Sequence, residues 1–139
     1  KESTDARQKF FETGEIVYIK QMPDVDENSN QLRKEAYEYY CTSRGLCPNY
    51  GENRMAVISR DTRRSFDITD QIKLLSPRPY LAIAGAKALT FGLSKIAFER
   101  ASEPKEFFEI EGATHVGLYD KEEYVNPAIF KLTEFYKEK

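Results

Sequence analysis

His115 is the single histidine in the chain. It lies in a loop-like stretch, Gly112-Ala113-Thr114-His115, that follows an apolar run. An imidazole titrates near working pH, so a histidine in such a loop suits general-base chemistry. The plainer alternative is an exposed loop histidine with no role. A base needs a group to activate, and the chain does not offer an obvious one. The G-x-S-x-G elbow, which exposes a serine on a sharp strand-to-helix turn, does not occur. Gly92-Leu93-Ser94-Lys95-Ile96 matches it by half, and Ser94 reads better as the N-cap of a helix. Cys41 and Cys47 fall at a helix end and in a turn, without zinc spacing or any sign of activation. No phosphate-binding glycine loop and no H-E-x-x-H motif is present, so no cofactor or metal is expected.

The elements that would position His115 are legible in the second half. Pro79 to Ala84 reads as a buried strand announced by Pro77-Arg78-Pro79. A helix is expected from Ser94 to Ser102, with Ile96, Ala97 and Ala101 facing inward and Pro104 beyond its end. Glu106 to Ile110 reads as a second strand. The last helix is expected to open with Asn126 as cap and Pro127 at its first position, and to carry the stripe Ile129, Leu132, Phe135 and Tyr136. This βαβα order implies two parallel strands joined by a right-handed crossover. Ligand and catalytic groups then gather beyond the strands' carboxyl ends, in 85–93 and 111–126.

The first half reads as two helices with short strands, a loop and turns between and after them. Ser3 or Thr4 can cap a helix ending near Thr13, with Phe10 and Phe11 as apolar anchors and Gly14 at its C-terminus. Ile16 to Ile19 reads as a short strand and 23–30 as an acidic loop. Leu32, Ala36, Tyr39 and Tyr40 share one helical face. The segment 47–54 is turn-rich, and Met55 to Ser59 reads as a short strand. Arg60, Arg63 and Arg64 read as a solvated turn, with an anion site as the sharper alternative.

Composition bounds what this frame can do. The 139 residues are 40% apolar and 32% charged, with a formal charge of −2, which suits one domain with a modest core. The longest apolar run is too short for a membrane helix, and near-neutral charge argues against general nucleic-acid binding. The charged N-terminus has no signal-peptide pattern, so a cytoplasmic setting is the default. The first residue is Lys rather than Met, consistent with a trimmed chain or one cut from a longer precursor.

Three stretches carry a resemblance: 75–85, from Leu75 through Pro77-Arg78-Pro79 to Gly85; 102–108, Ser102-Glu103-Pro104 to Phe108; and 112–120, Gly112-Ala113-Thr114-His115 to Asp120. They resemble the C-terminal end of α/β-hydrolases, most of all the bacterial esterase-like branch related to dienelactone hydrolases. Tyr37-Glu38-Tyr39-Tyr40, then Arg44-Gly45 and Pro48-Asn49, look like the helical insertion before that fold's seventh strand. The resemblance implies a single partial domain: residues 1–70 as a cap-like insertion, and residues 71–139 as the C-terminal βαβα unit. The strand before Gly85 would be the seventh, the strand at Phe107 the eighth, and His115 the base of the triad.

The departures from the family are equally specific. The family order is nucleophile, acid, histidine, and the nucleophile belongs to sequence that would precede Lys1, together with strands one to six and the oxyanion-hole loop. Leu89 stands where similar proteins carry the acid, and Gly117 where an Asp often follows the histidine. Asp120 or Asp67 could substitute, and spacing favours neither. Two functions follow: the C-terminal segment of a carboxylester-type hydrolase acting on a small ester, inactive alone and completed by a missing N-terminal half; or a non-catalytic remnant. A binding module using Tyr37, Tyr39 and Tyr40 is a further alternative. A small parallel sheet with an open edge also implies self-association, most simply a dimer.

Overall fold

A computed structural model describes residues 1–46 and 53–137. They divide into two compact units, Lys1–Asp67 and Ile68–Lys139. Cys47 and most of the turn-rich segment lie outside the described residues.

The first unit holds helices α1 (Glu2–Thr13), α2 (Gln31–Cys41) and α3 (Ser59–Ser65), with strands β1 (Tyr18–Lys20) and β2 (Arg54–Ala56). β1 and β2 pair antiparallel, Ile19 opposite Met55. Asn53 closes this pair by accepting from the Met22 N–H and donating to the Met22 carbonyl, each at 2.8 Å. Gly14 ends α1 at a φ of 72°, a left-handed conformation that glycine adopts without steric cost. The cap of α1 differs from expectation: its N-cap is Lys1, without a side-chain cap bond, and Ser3 is buried inside the helix. Phe10 and Phe11 are exposed, while Ser3 and Ala6 are the buried residues of α1. In α2 the expected face is the sheltered one, with Ala36 buried and Asn30 capping the helix through the Arg33 N–H at 2.9 Å.

Arg60, Arg63 and Arg64 are helical rather than in a turn, because all three lie in α3. Arg60 pairs with Glu2 and Asp61 with Arg7, so α3 is tied to α1 by charge. Arg63 donates to the Met55 sulfur at 3.2 Å.

The second unit opens with a 3₁₀ turn (Ile72–Leu75), followed by β3 (Tyr80–Gly85), α4 (Phe91–Arg100), β4 (Lys105–Ile110), α5 (Gly117–Asp120) and α6 (Glu122–Lys137). β3 and β4 pair in parallel with Tyr80 opposite Lys105 and Gly85 opposite Ile110. This is the βαβ unit expected from the sequence. Its buried residues are mostly small: Ala82, Ala84, Ala101 and Ala113, with Ile110 and Val116.

The two helices expected in this unit, α4 and α6, begin earlier than expected. α4 starts at Phe91, so Ser94 lies within it and Thr90 holds the N-cap position. α6 starts at Glu122 and carries Pro127 inside, where Asn126 and Pro127 had read as its opening. Ile96 is exposed rather than inward, as are Leu93 on the same helix and Ile129, Phe130 and Tyr136 on α6.

The C-terminus of α4 is held by Lys105. Its Nζ donates to the carbonyls of Phe98 (2.9 Å), Glu99 (3.2 Å) and Ala101 (2.8 Å), which have no partner within the helix. It also lies 4.8 Å from the centre of the Phe98 ring. Charged hydrogen bonds of this kind contribute about 1.5–3 kcal/mol. Lys105→Met keeps the apolar stem and removes the ammonium, so we expect a stability loss of about 1–3 kcal/mol. Urea denaturation measures it, and an unchanged midpoint would contradict this role.

Candidate functional site

The register of the parallel pair brings the two loops at its carboxyl end together. Beyond Gly85 and Ile110, the Ala86 N–H donates to the Ile110 carbonyl and the Lys87 N–H to the Ala113 carbonyl, both at 2.9 Å. Gly112 turns the second loop at a φ of 73°. The chain then places Thr114, whose Oγ1 accepts from the Gly117 N–H at 3.0 Å and starts α5. Tyr124 from α6 packs against Gly117 and Gly112, and desolvation, followed by nearby Glu123, pushes its phenol above the ordinary tyrosine range. His115 sits between the fully buried Ala113 and the nearly buried Val116, so its backbone is fixed while its ring faces the first loop.

Both ring nitrogens of His115 meet hydroxyls. Nδ1 lies 2.8 Å from Thr90 Oγ1 and Nε2 lies 2.9 Å from Tyr119 Oη. Tyr119 is on α5, one helical turn after His115, and the two rings meet edge to face at 5.6 Å. A neutral imidazole has one N–H donor and one acceptor nitrogen. Of the two hydroxyls the phenol is the more acidic and the better donor. That assigns Tyr119 O–H as donor to Nε2, and Nδ1–H as donor to Thr90 Oγ1.

Thr90 is at the N-cap of α4, yet its side chain makes no cap hydrogen bond. A threonine there ordinarily satisfies a helix N–H, an interaction of about 1 kcal/mol. Here the hydroxyl is directed to the imidazole instead. Thr90 and Tyr119 are the residues that sequence reasoning missed. The signals were Thr90 next to the position expected to hold an acid, and Tyr119 at i+4 from His115.

The other candidates lie elsewhere. Leu89 is 62% exposed and has no polar atom to offer His115. Asp120 follows Tyr119 at the end of α5, and Asp67 belongs to the first unit; the two hydroxyls occupy both nitrogens, leaving no place for either carboxylate on the ring. Ser94 is in the body of α4, its N–H bonded to the Thr90 carbonyl at 3.3 Å. Cys41 is a free thiol at the end of α2. No group of metal-ligating side chains occurs among the described residues. No helix among them is long and apolar enough to cross a membrane.

The comparisons with known proteins agree with this architecture. No protein-family model matches the chain. It is 34% identical over 118 residues to the uncharacterised protein PA2218 of Pseudomonas aeruginosa, covering 83% of this chain and 32% of that protein. It is 30% identical over 141 residues to the uncharacterised protein YcjY of Escherichia coli, covering 97% and 44%. The crystal structure of PA2218 superposes with a TM-score of 0.85 at 28% identity, covering 98% of this chain and 42% of that one. The α/β-hydrolase GrgF from Penicillium sp. sh18 superposes with a TM-score of 0.70 at 21% identity, over 98% and 46%. The chain has part of an α/β-hydrolase fold. DcsB, solved in complex with its substrate analogue, superposes at 0.81 with 21% identity, over 98% and 48%. The chain therefore spans less than half the length of each of these proteins.

Gly85 is what lets the two loops close on one another. A Cβ there would overlap the Ala113 carbonyl, the same oxygen that accepts from Lys87. Gly85→Ala is expected to cost about 1–3 kcal/mol, the usual range for overpacking, and to move the loop that carries His115. Denaturation midpoints test the first effect and the His115 ring resonances the second; wild-type values in both would contradict it.

Proposed function

We propose that this chain is the C-terminal segment of a carboxylester-type α/β-hydrolase of the esterase-like branch related to dienelactone hydrolases, and that His115 is its general base. The observation that carries the reading is the position of His115: it follows the second of two parallel strands, with Nδ1 held by the loop that follows the first (Thr90 Oγ1, 2.8 Å). In a triad the group on Nδ1 fixes the tautomer and orients the ring, while Nε2 handles the proton. In the proposed reaction, Nε2 takes the proton of a hydroxyl nucleophile as its oxygen attacks the ester carbonyl. The same proton then passes to the departing alcohol, and water repeats the cycle on the acyl intermediate.

The nucleophile and the oxyanion donors belong, in this proposal, to an N-terminal hydrolase half, present in a longer chain or on a separate one. The substrate is a small ester, no cofactor takes part, and the setting is the cytoplasm. Alone, the segment does not turn over. Leu93 and Ile96 are exposed on α4, which packs on the Phe107 face of the strand pair, and Ile129 and Phe130 on α6, which packs on the Phe108 face. They support apolar surfaces completed by further protein, either that half or a second copy. β3 and β4 pair only with each other among the described residues, which supports association through an open edge.

A second reading, a non-catalytic remnant, is favoured by one feature: Nδ1 meets a hydroxyl, not a carboxylate. A neutral hydroxyl orients the ring, yet supplies no charge to stabilise the imidazolium that forms during proton transfer.

Hydrolysis of p-nitrophenyl acetate by the purified chain, beside His115→Ala, tests the assignment. We expect no turnover in either beyond slow background reaction of the imidazole. Multiple turnover that vanishes in the variant would mean that this chain carries its own nucleophile. Sedimentation velocity tests association: we expect a dimer at high concentration, and a persistent monomer would contradict it.

A further inference from the structure

We propose that Tyr119 is a built-in gate on the histidine: its hydroxyl occupies Nε2 in the separated segment and gives way only when another hydroxyl competes for that nitrogen. The proposal rests on the reading of His115 as a general base, and it concerns how that base is kept out of use.

The geometry points to a gate rather than to a packing contact. The Tyr119 oxygen stands 2.9 Å from Nε2, where the hydroxyl oxygen of an attacking nucleophile would have to stand. While it is there, the lone pair that would accept a proton is already in a hydrogen bond. The ring cannot turn to offer its other nitrogen, because Nδ1 is held at 2.8 Å by Thr90 from the opposite loop. Holding the ring from that side also displaces the helix cap that Thr90 would otherwise make.

Tyr119 has the means to move. It is 42% exposed, and its element, α5, is only four residues long. The backbone on either side is better fixed: Val116 and Gly117 are buried, and the Gly117 N–H is bonded to Thr114 Oγ1. Rotation of the Tyr119 side chain therefore opens Nε2 without shifting His115. The occupant that displaces it is the nucleophile hydroxyl of the completing hydrolase half, an O–H donor that restores the hydrogen bond Nε2 gives up.

Diethyl pyrocarbonate tests this directly, because it acylates an unprotonated imidazole nitrogen with a free lone pair. The chain has a single histidine, so the absorbance of carbethoxyimidazole reports His115 alone, with His115→Ala as the blank. The rate is compared for wild type, Tyr119→Phe and Tyr119→Leu at about pH 8, above the ordinary imidazole range. Tyr119→Phe keeps the ring against the imidazole and removes only the hydroxyl. We expect both variants to react roughly three- to tenfold faster than wild type, the span of one net hydrogen bond. Wild-type rates in both would overturn the gate. A faster rate in Tyr119→Leu alone would also overturn it, by showing that ring bulk shields the histidine. The measurement needs no ester turnover, so failure of the hydrolase reading and failure of the gate give different results.

Discussion

The second unit depends on one constraint, the parallel register of β3 and β4 and the two backbone hydrogen bonds that extend it. Gly85 opposite Ile110 ends the ladder, and the Ala86 and Lys87 N–H groups then reach across to Ile110 and Ala113. These bonds convert two separate loops into one surface. They bring Thr90 and His115, 25 residues apart in sequence, to 2.8 Å. Register in a sheet is all or nothing, because a one-residue slip turns every side chain to the other face. The contact at Nδ1 is therefore as well defined as the strands beneath it. Small residues permit the close approach: a side chain at Gly85 would collide with the Ala113 backbone, and Ala82, Ala84 and Ala113 fill the buried layer.

Much of this was legible in the sequence, for reasons that can be named. The strand at 80–85 is an apolar run introduced by prolines, and the strand at 105–110 is aromatic and follows Pro104, so both declare themselves locally. The helical face of Leu32, Ala36, Tyr39 and Tyr40 is read from spacing alone. Helix starts were less legible. Ser94 looked like a cap because serine favours caps, whereas the true cap position is Thr90, whose hydroxyl has been taken by His115. Pro127 looked like a first residue, yet α6 begins at Glu122 and runs through it. The β1–β2 pair escaped notice because its strands are short, far apart in the chain and joined by no hairpin turn.

The site itself was half legible. Its histidine could be found from loop position and from resemblance, because both depend on nearby residues. Its partners could not, since a threonine and a tyrosine are ordinary residues until the fold sets them against an imidazole. The family resemblance calls for a carboxylate, with Asp120 or Asp67 as substitutes that spacing does not favour, and the ring instead meets two hydroxyls. The difference is chemical as well as geometric. A carboxylate on Nδ1 orients the ring and stabilises its charged form, whereas a hydroxyl does only the first. The chain holds the imidazole in one orientation and sets a neutral hydroxyl, not a carboxylate, against its Nδ1.

The most direct test of this account is the protonation pattern of the His115 ring, read from long-range ¹H–¹⁵N correlations of the chain's single imidazole at neutral to mildly alkaline pH. A proton on Nδ1, donated to Thr90, and an unprotonated Nε2 accepting from Tyr119 are expected. Protonated Nε2, or two nitrogens averaged by a freely turning ring, would contradict this assignment.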